Sequence, residues 1–164
     1  MKASHFSKDI QEFFKILSEY RVKYVIVGGE AVIYYGHARL TGDVDFFFEA
    51  ASENVLRLHN ALKEFWAGDI PGLKSAEELM EAGTVLQFGV PPNRIDLMNR
   101  IDGVSFEEAW GDKREVNIEI SGALVPVYFI GLEELIRNKE TIGRSKDLDD
   151  LKYLRKARGQ FVYT

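Results

Sequence analysis

Thr41-Gly42-Asp43-Val44-Asp45-Phe46-Phe47-Phe48-Glu49 is the run on which the fold turns. Thr41-Gly42 supplies a turn, and the β-branched and aromatic residues that follow favour extended backbone, so Asp43 to Glu49 reads as a strand. Side chains two apart on a strand share a face, which brings the carboxylates of Asp43 and Asp45 together, roughly 7 Å apart at the backbone. Two anions so placed repel each other. A hard divalent cation relieves the repulsion, and magnesium is commonly held by one or two carboxylates while substrate phosphates complete its octahedron. An isolated Asp-x-Asp is more often a solvated turn or a helix cap, but here the apolar neighbours and the separate turn before it favour the strand. Phe46-Phe47-Phe48 reads as core rather than as a platform for stacking bases, because strand aromatics usually pack.

On the N-terminal side, Tyr24 to Val27 is a uniformly apolar strand ended by Gly28-Gly29, and a short helix from about Glu30 to Tyr35 is stopped by Gly36. Ser7 caps a helix to about Tyr20 with Ile10, Phe13, Phe14 and Leu17 on one stripe. On the C-terminal side, Ser52 opens a helix carrying Val55, Leu58, Leu62 and Phe65. Ser75 with Glu78, and Ser105 with Glu108, have the spacing of capping boxes. Thr84 to Val90 and Arg94 to Met98 pair as a hairpin across Pro91-Pro92-Asn93, and Lys113 to Ile120 pairs with Ala123 to Phe129 across Ser121-Gly122. Leu132 to Lys139 and Lys146 to about Ala157 are closing helices, the second with Leu148, Leu151 and Leu154 facing inward. Hairpins among interspersed helices predict an α+β fold, a mixed β-sheet flanked by helices.

With 46% apolar residues, a chain of 164 can bury a sizeable core, and residues 1–164 read as one domain. A formal net charge of -5 excludes a protein whose main work is coating nucleic acid, while leaving room for a local basic groove. Without cysteine there is no disulfide framework and no thiolate zinc site, which suits a cytoplasmic protein whose metals are held by carboxylate or imidazole. No stretch approaches the ~20 apolar residues of a membrane span, so no membrane partner is expected.

Asp96 lies in the apolar strand Ile95-Asp96-Leu97-Met98, where a charge is expensive unless paired or metal-bound; the alternative is an edge position facing water. Gln87 is placed to face the same spot. Arg39 could bond phosphates with its planar fork or serve only as a solvated loop charge. Lys139 and Lys146 are weaker candidates for the same task. None of His5, His37 and His59 is assigned as a ligand, although His37 lies close in sequence to the site. Trp66 and Trp110 fill core as readily as they would bind a base.

Val27-Gly28-Gly29-Glu30-Ala31, then Gly36-His37-Ala38-Arg39-Leu40-Thr41-Gly42-Asp43-Val44-Asp45, then Ile95-Asp96-Leu97, resembles the polymerase-beta-type nucleotidyltransferase superfamily from Tyr24 to about Leu154. The likeness is to small stand-alone prokaryotic members, including those near abortive-infection and antibiotic-modifying nucleotidyltransferases. Arg144-Ser145-Lys146-Asp147-Leu148-x-Asp150-Leu151 strengthens it. The resemblance implies Asp43, Asp45 and Asp96 as catalytic residues and as ligands of Mg2+ or Mn2+, with Asp96 able to accept the acceptor's proton. It implies Gly28, Gly29, Arg39, Thr41 and Lys146 as nucleotide-binding residues. The implied reaction is attack of an acceptor hydroxyl on the alpha-phosphate of a nucleoside triphosphate such as ATP, with pyrophosphate leaving. Many members carry Gly-Ser at the glycine pair, and Gly29 lacks that hydroxyl.

The acceptor is left open among a small molecule, a partner protein and an RNA end such as that of tRNA. A reading of another class is a non-catalytic or regulatory module that binds a partner in a toxin-antitoxin or phage-defence pair on the same fold. A third is that Asp43 and Asp45 hold a structural ion, or none.

Overall fold

The computed structural model describes residues 1–161. Helix α1, Lys8–Glu19, starts where Ser7 Oγ accepts the Ile10 N–H at 3.3 Å, and it buries Phe13, Phe14 and Leu17. Strand β1, Tyr24–Val27, is buried throughout and runs into helix α2, Gly28–Tyr34. Strand β2, Asp43–Phe48, is followed by helix α3, Ser52–Phe65, and by a 3-10 turn, Ala76–Met80. Both expected hairpins form: β3, Val85–Phe88, with β4, Arg94–Met98, and β5, Arg114–Ile120, with β6, Ala123–Phe129. Helix α4, Phe106–Gly111, lies between them, and α5, Leu132–Ile142, and α6, Ser145–Phe161, close the chain. Among the described residues no helix is long and apolar enough to cross a membrane.

The strands form one mixed sheet in the order β3-β4-β2-β1-β6-β5. β2 runs antiparallel to β1 and parallel to β4, with Val27 opposite Asp45, Asp45 opposite Asp96, and Gln87 opposite Asp96. Because side chains alternate across a sheet, that row fixes one polar face. The other face of β2 is apolar: Phe46 meets Phe13 of α1 edge-on at 5.2 Å and Phe14 at 5.9 Å. Phe46, Phe47 and Phe48 are all fully buried, as their run predicted. Burial of such side chains contributes about 1.5–3 kcal/mol each, so the core that fixes β2 also fixes its two aspartates.

Three expectations are corrected. Ser75 and Glu78 form no capping box: Ser75 makes no side-chain cap bond, and Glu78 Oε1 instead accepts the Lys74 N–H at 3.3 Å. The intended box at Ser105 and Glu108 does form. The inward stripe of α6 is Asp147, Asp150, Leu151, Leu154 and Ala157, whereas Leu148 is 54% exposed, because one helical residue turns the side chain by roughly 100°. The helix after β1 begins at Gly28, not Glu30, because Gly28 takes φ +64°, a conformation that lets strand pass directly into helix.

Candidate active site

Strands β2 and β4 present Asp43, Asp45 and Asp96 on one face, and one oxygen from each lies within 4.8 Å of the others. Asp96 is buried rather than facing water, since β3 covers the edge of β4. Gln87 Nε2 on β3 donates to Asp96 Oδ2 at 3.5 Å, a long bond in the direction expected. The fourth member is Arg94, also on β4, whose Nε donates to Asp96 Oδ1 at 2.9 Å and whose Nη2 donates to Asp43 Oδ2 at 2.8 Å and Asp96 Oδ2 at 3.0 Å. A guanidinium thus sits where a cation shared by two of the carboxylates would sit. Arg94 was readable from the sequence, because it lies two residues before Asp96 and shares its face.

Crowding shapes the protonation of the three acids. Burial, and then the charges of Asp43 and Asp96, push the Asp45 carboxyl up to about 8. Burial also raises Asp96 above the usual carboxylate range against the opposing pull of Arg94. For Asp43 the effect of burial is outweighed by hydrogen bonding with Asp96, Arg94 and Thr41, which holds it low. Asp45, which Arg94 does not bond, is therefore the member that relieves the crowding by keeping a proton, one that a bound cation would displace. Three hard oxygen donors with one member short of positive charge suit Mg2+ or Mn2+.

Gly28 and Gly29 both lie against this group. A Cβ on Gly28 would collide with Asp45 Oδ2, so only glycine lets the β1–α2 turn approach the carboxylate. A Cβ on Gly29 would come within 2.7 Å of Thr41 Oγ1 and 3.2 Å of Arg39 Nη2. Any side chain at position 29 would therefore meet Thr41. Thr41 Oγ1 itself lies 3.2 Å from Asp43 Oδ1.

Beside Gly28 and Asp45 opens a cleft of about 280 Å³, lined also by Met98, Arg100, Asp102, Lys139 and Arg144. Of the residues singled out from sequence, Asp43, Asp45, Asp96, Gly28, Gly29, Arg39 and Thr41 lie together, and Lys139 lines the cleft. Lys146 does not: it is exposed on the first turn of α6, while Arg144, two residues earlier, reaches the cleft. His37 stacks on Tyr153 with ring centroids 3.6 Å apart. Trp66 and Trp110 pack against Phe88 and Tyr128, the former at 5.3 Å and the latter at 5.1 Å, away from the carboxylates.

Comparison with known proteins bears on the fold and on the family. A candidate nucleotidyltransferase from Thermotoga maritima superposes with a TM-score of 0.57 at 16% identity over 95% of this chain and 96% of its own. An antigenic nucleotidyltransferase-like protein from Paracoccidioides brasiliensis gives 0.53 at 16% identity over 91% of this chain and 77% of its own. At such identities the likeness is one of fold, the nucleotidyltransferase fold. A sequence comparison with curated proteins finds no match. A family model, by contrast, covers nearly the whole sequence, residues 5–155, and the chain accordingly belongs to the family described as nucleotidyltransferase of unknown function, DUF6036.

Proposed function

We propose that this protein is a metal-dependent nucleotidyltransferase that moves a nucleoside monophosphate from a nucleoside triphosphate to an acceptor hydroxyl. The observation that carries the proposal is the convergence of Asp43, Asp45 and Asp96 within 4.8 Å beside a turn in which only glycine fits against Asp45. A structural ion would not require the cleft of about 280 Å³ that opens beside Gly28 and Asp45, because it needs no room for phosphate. The three carboxylates are the residues that would hold Mg2+ or Mn2+, and such ions supply charge stabilisation of the transferring phosphoryl group, worth several kcal/mol.

Within that reading, the phosphates lie against the backbone of the Gly28-Gly29 turn, and Thr41 places a hydroxyl beside Gly29. Asp96, raised by burial, is the group suited to take the proton from the acceptor. The acceptor belongs to the same proposal and is one of three classes: a small molecule, a partner protein or an RNA end. The competing reading, a partner-binding module without catalysis, has no specific observation in its favour, since all three carboxylates are present and assembled.

The test is transfer of label. Each alpha-labelled triphosphate is incubated with the protein, Mg2+ and a cell extract, and the labelled product is separated. Label is expected in one acceptor class with wild type and in none with Asp43→Asn. Equal labelling by the two proteins, or none by wild type across all four triphosphates, would refute the activity.

A further inference from the structure

A second cleft, of about 360 Å³, opens between the N-terminal segment and helix α2, distinct from the cleft at Gly28 and Asp45. Phe6, Ile33, Val44 and Pro92 give it apolar walls, and Glu30 with His5 gives it a polar corner. Val44 alternates with Asp43 and Asp45 along β2, so it points away from the carboxylate group. Glu30, on the first turn of α2, is only 6% exposed. Its Oε2 lies 2.8 Å from His5 Nε2, and since a carboxylate only accepts, the imidazole is the donor. Among the described residues, Glu30 Oε1 takes no hydrogen bond.

A carboxylate kept from water is expensive unless it is paired and fully hydrogen-bonded. Glu30 is half served. Burial raises it above the usual carboxylate range, against the opposing pull of His5 and, from further off, Arg39. Arg39, also in the cleft wall, is committed to Asp150, at 3.0 Å through Nε and 3.2 Å through Nη2. Nor is the His5–Glu30 pair needed to hold the N-terminal segment in place. Gln11 Nε2 already donates to the carbonyls of Ala3 at 3.0 Å and Phe6 at 2.9 Å, and Phe6 packs edge-on against Phe14 at 4.9 Å. What remains is an unused carboxylate oxygen in the corner of an apolar cleft.

We infer that this cleft is a recognition site for an organic cation, an amine or guanidinium on a short apolar stem, with Glu30 as its counter-ion and Phe6, Ile33 and Pro92 around the stem. Such a head group brings Oε1 both the donor and the charge that it lacks, and charge-assisted bonds of this kind are short and strong. The volume lies at the small end of ligand cavities, which suits a head group with a few carbons behind it. An anion is disfavoured, because Glu30 repels it and the charge of Asp43 is felt here as well. The site needs neither metal nor nucleotide, so it stands apart from the reaction proposed above. The same chemistry is carried by a free small molecule and by a lysine or arginine side chain of a partner protein.

The probe is butylguanidinium, titrated into the isotope-labelled full chain without metal, with butylurea as the neutral analogue of the same shape. Backbone amide shifts in nuclear magnetic resonance spectra locate the binding and measure it. Wild type is expected to show saturable shifts at Phe6, Ile33 and Asn93, and to bind butylurea about tenfold more weakly. Glu30→Gln keeps the shape of the side chain and is expected to weaken butylguanidinium about tenfold, leaving butylurea unchanged. Absence of saturable shifts, equal affinity for the two probes, or unchanged binding by Glu30→Gln overturns the site. So do shifts confined to Asp43, Asp45 and Asp96, which would mark a guanidinium captured by the carboxylate group instead. Where Glu30→Gln fails to fold, the two probes on wild type still decide. An arginine held in a short capped peptide that binds as tightly as butylguanidinium would assign the cation to a partner's side chain, and its exclusion would assign it to a free small molecule.

Discussion

The carboxylate group on β2 and β4 and the ion cluster on α6 are unbalanced in opposite senses. In the first, three aspartates gather about one guanidinium, Arg94, which bonds two of them; in the second, two aspartates share Arg39, Lys139 and Arg144. Each is costly alone, since like charges drawn together and kept from water repel. They lie on either side of the glycine turn, Arg39 against Gly29 and Lys139 and Arg144 in the cleft at Gly28. Charge imbalance, fixed by strands and helices that cannot relax it, marks this site more sharply than any single residue.

The largest expected effect breaks the cation-rich side. Asp150→Ala leaves Lys139 and Arg39 without their shared anion, and loss of one partner of a buried pair costs about 3–5 kcal/mol of folding stability in urea denaturation. The comparison predicts the opposite response across the glycine turn: Asp45→Asn in metal-free buffer relieves repulsion, and its urea midpoint should be no lower than that of wild type. Next is Gly28→Ala, which forces a Cβ onto φ +64° and against Asp45. It should destabilise by more than ~1 kcal/mol and abolish detectable Mn2+ binding. Arg94→Gln removes the tethered cation from Asp43 and Asp96; Mn2+ affinity without nucleotide should rise about tenfold, or ~1.4 kcal/mol, by calorimetry.

The smallest effect comes from an acidic pair remote from the site, which serves as a control. Burial, and then the neighbouring Asp112 carboxyl, push Glu134 up to about 7 from an ordinary 4.5. Since the folded state holds this proton more tightly than the unfolded one, the group's favourable contribution is full below the ordinary value and is lost as pH rises through about 7. Glu134→Gln should therefore melt higher than wild type at pH 8 and show no such gain at pH 4, with Mn2+ affinity unchanged.

The anion-rich side was legible in the sequence because a strand carries its facing in its alternation. Asp43 and Asp45 were bound to point together once Val44 and the phenylalanines fixed β2, and Asp96 stood out as a charge in an apolar strand. The cation-rich side was not, because its pairs join residues as far apart as Arg39 and Asp150, and no local pattern states that contact. A partial signal existed: Asp147 and Asp150 share the helical stripe of Leu151 and Leu154, so aspartates on an apolar stripe implied buried, paired acids. Reading Leu148 into that stripe turned α6 by one residue. Arg94 shows a simpler omission, since the alternation that placed Asp96 placed it too.

Whether the three acids form a cation pocket is read most directly by electron paramagnetic resonance of free Mn2+ titrated into the metal-free protein at pH 8, alone and with ATP. Wild type is expected to deplete the free-ion signal, more strongly once ATP is added, and Asp45→Asn is expected to deplete it in neither case beyond what ATP removes by itself. Undiminished Mn2+ uptake by Asp45→Asn, or no uptake by wild type in the presence of ATP, would contradict it.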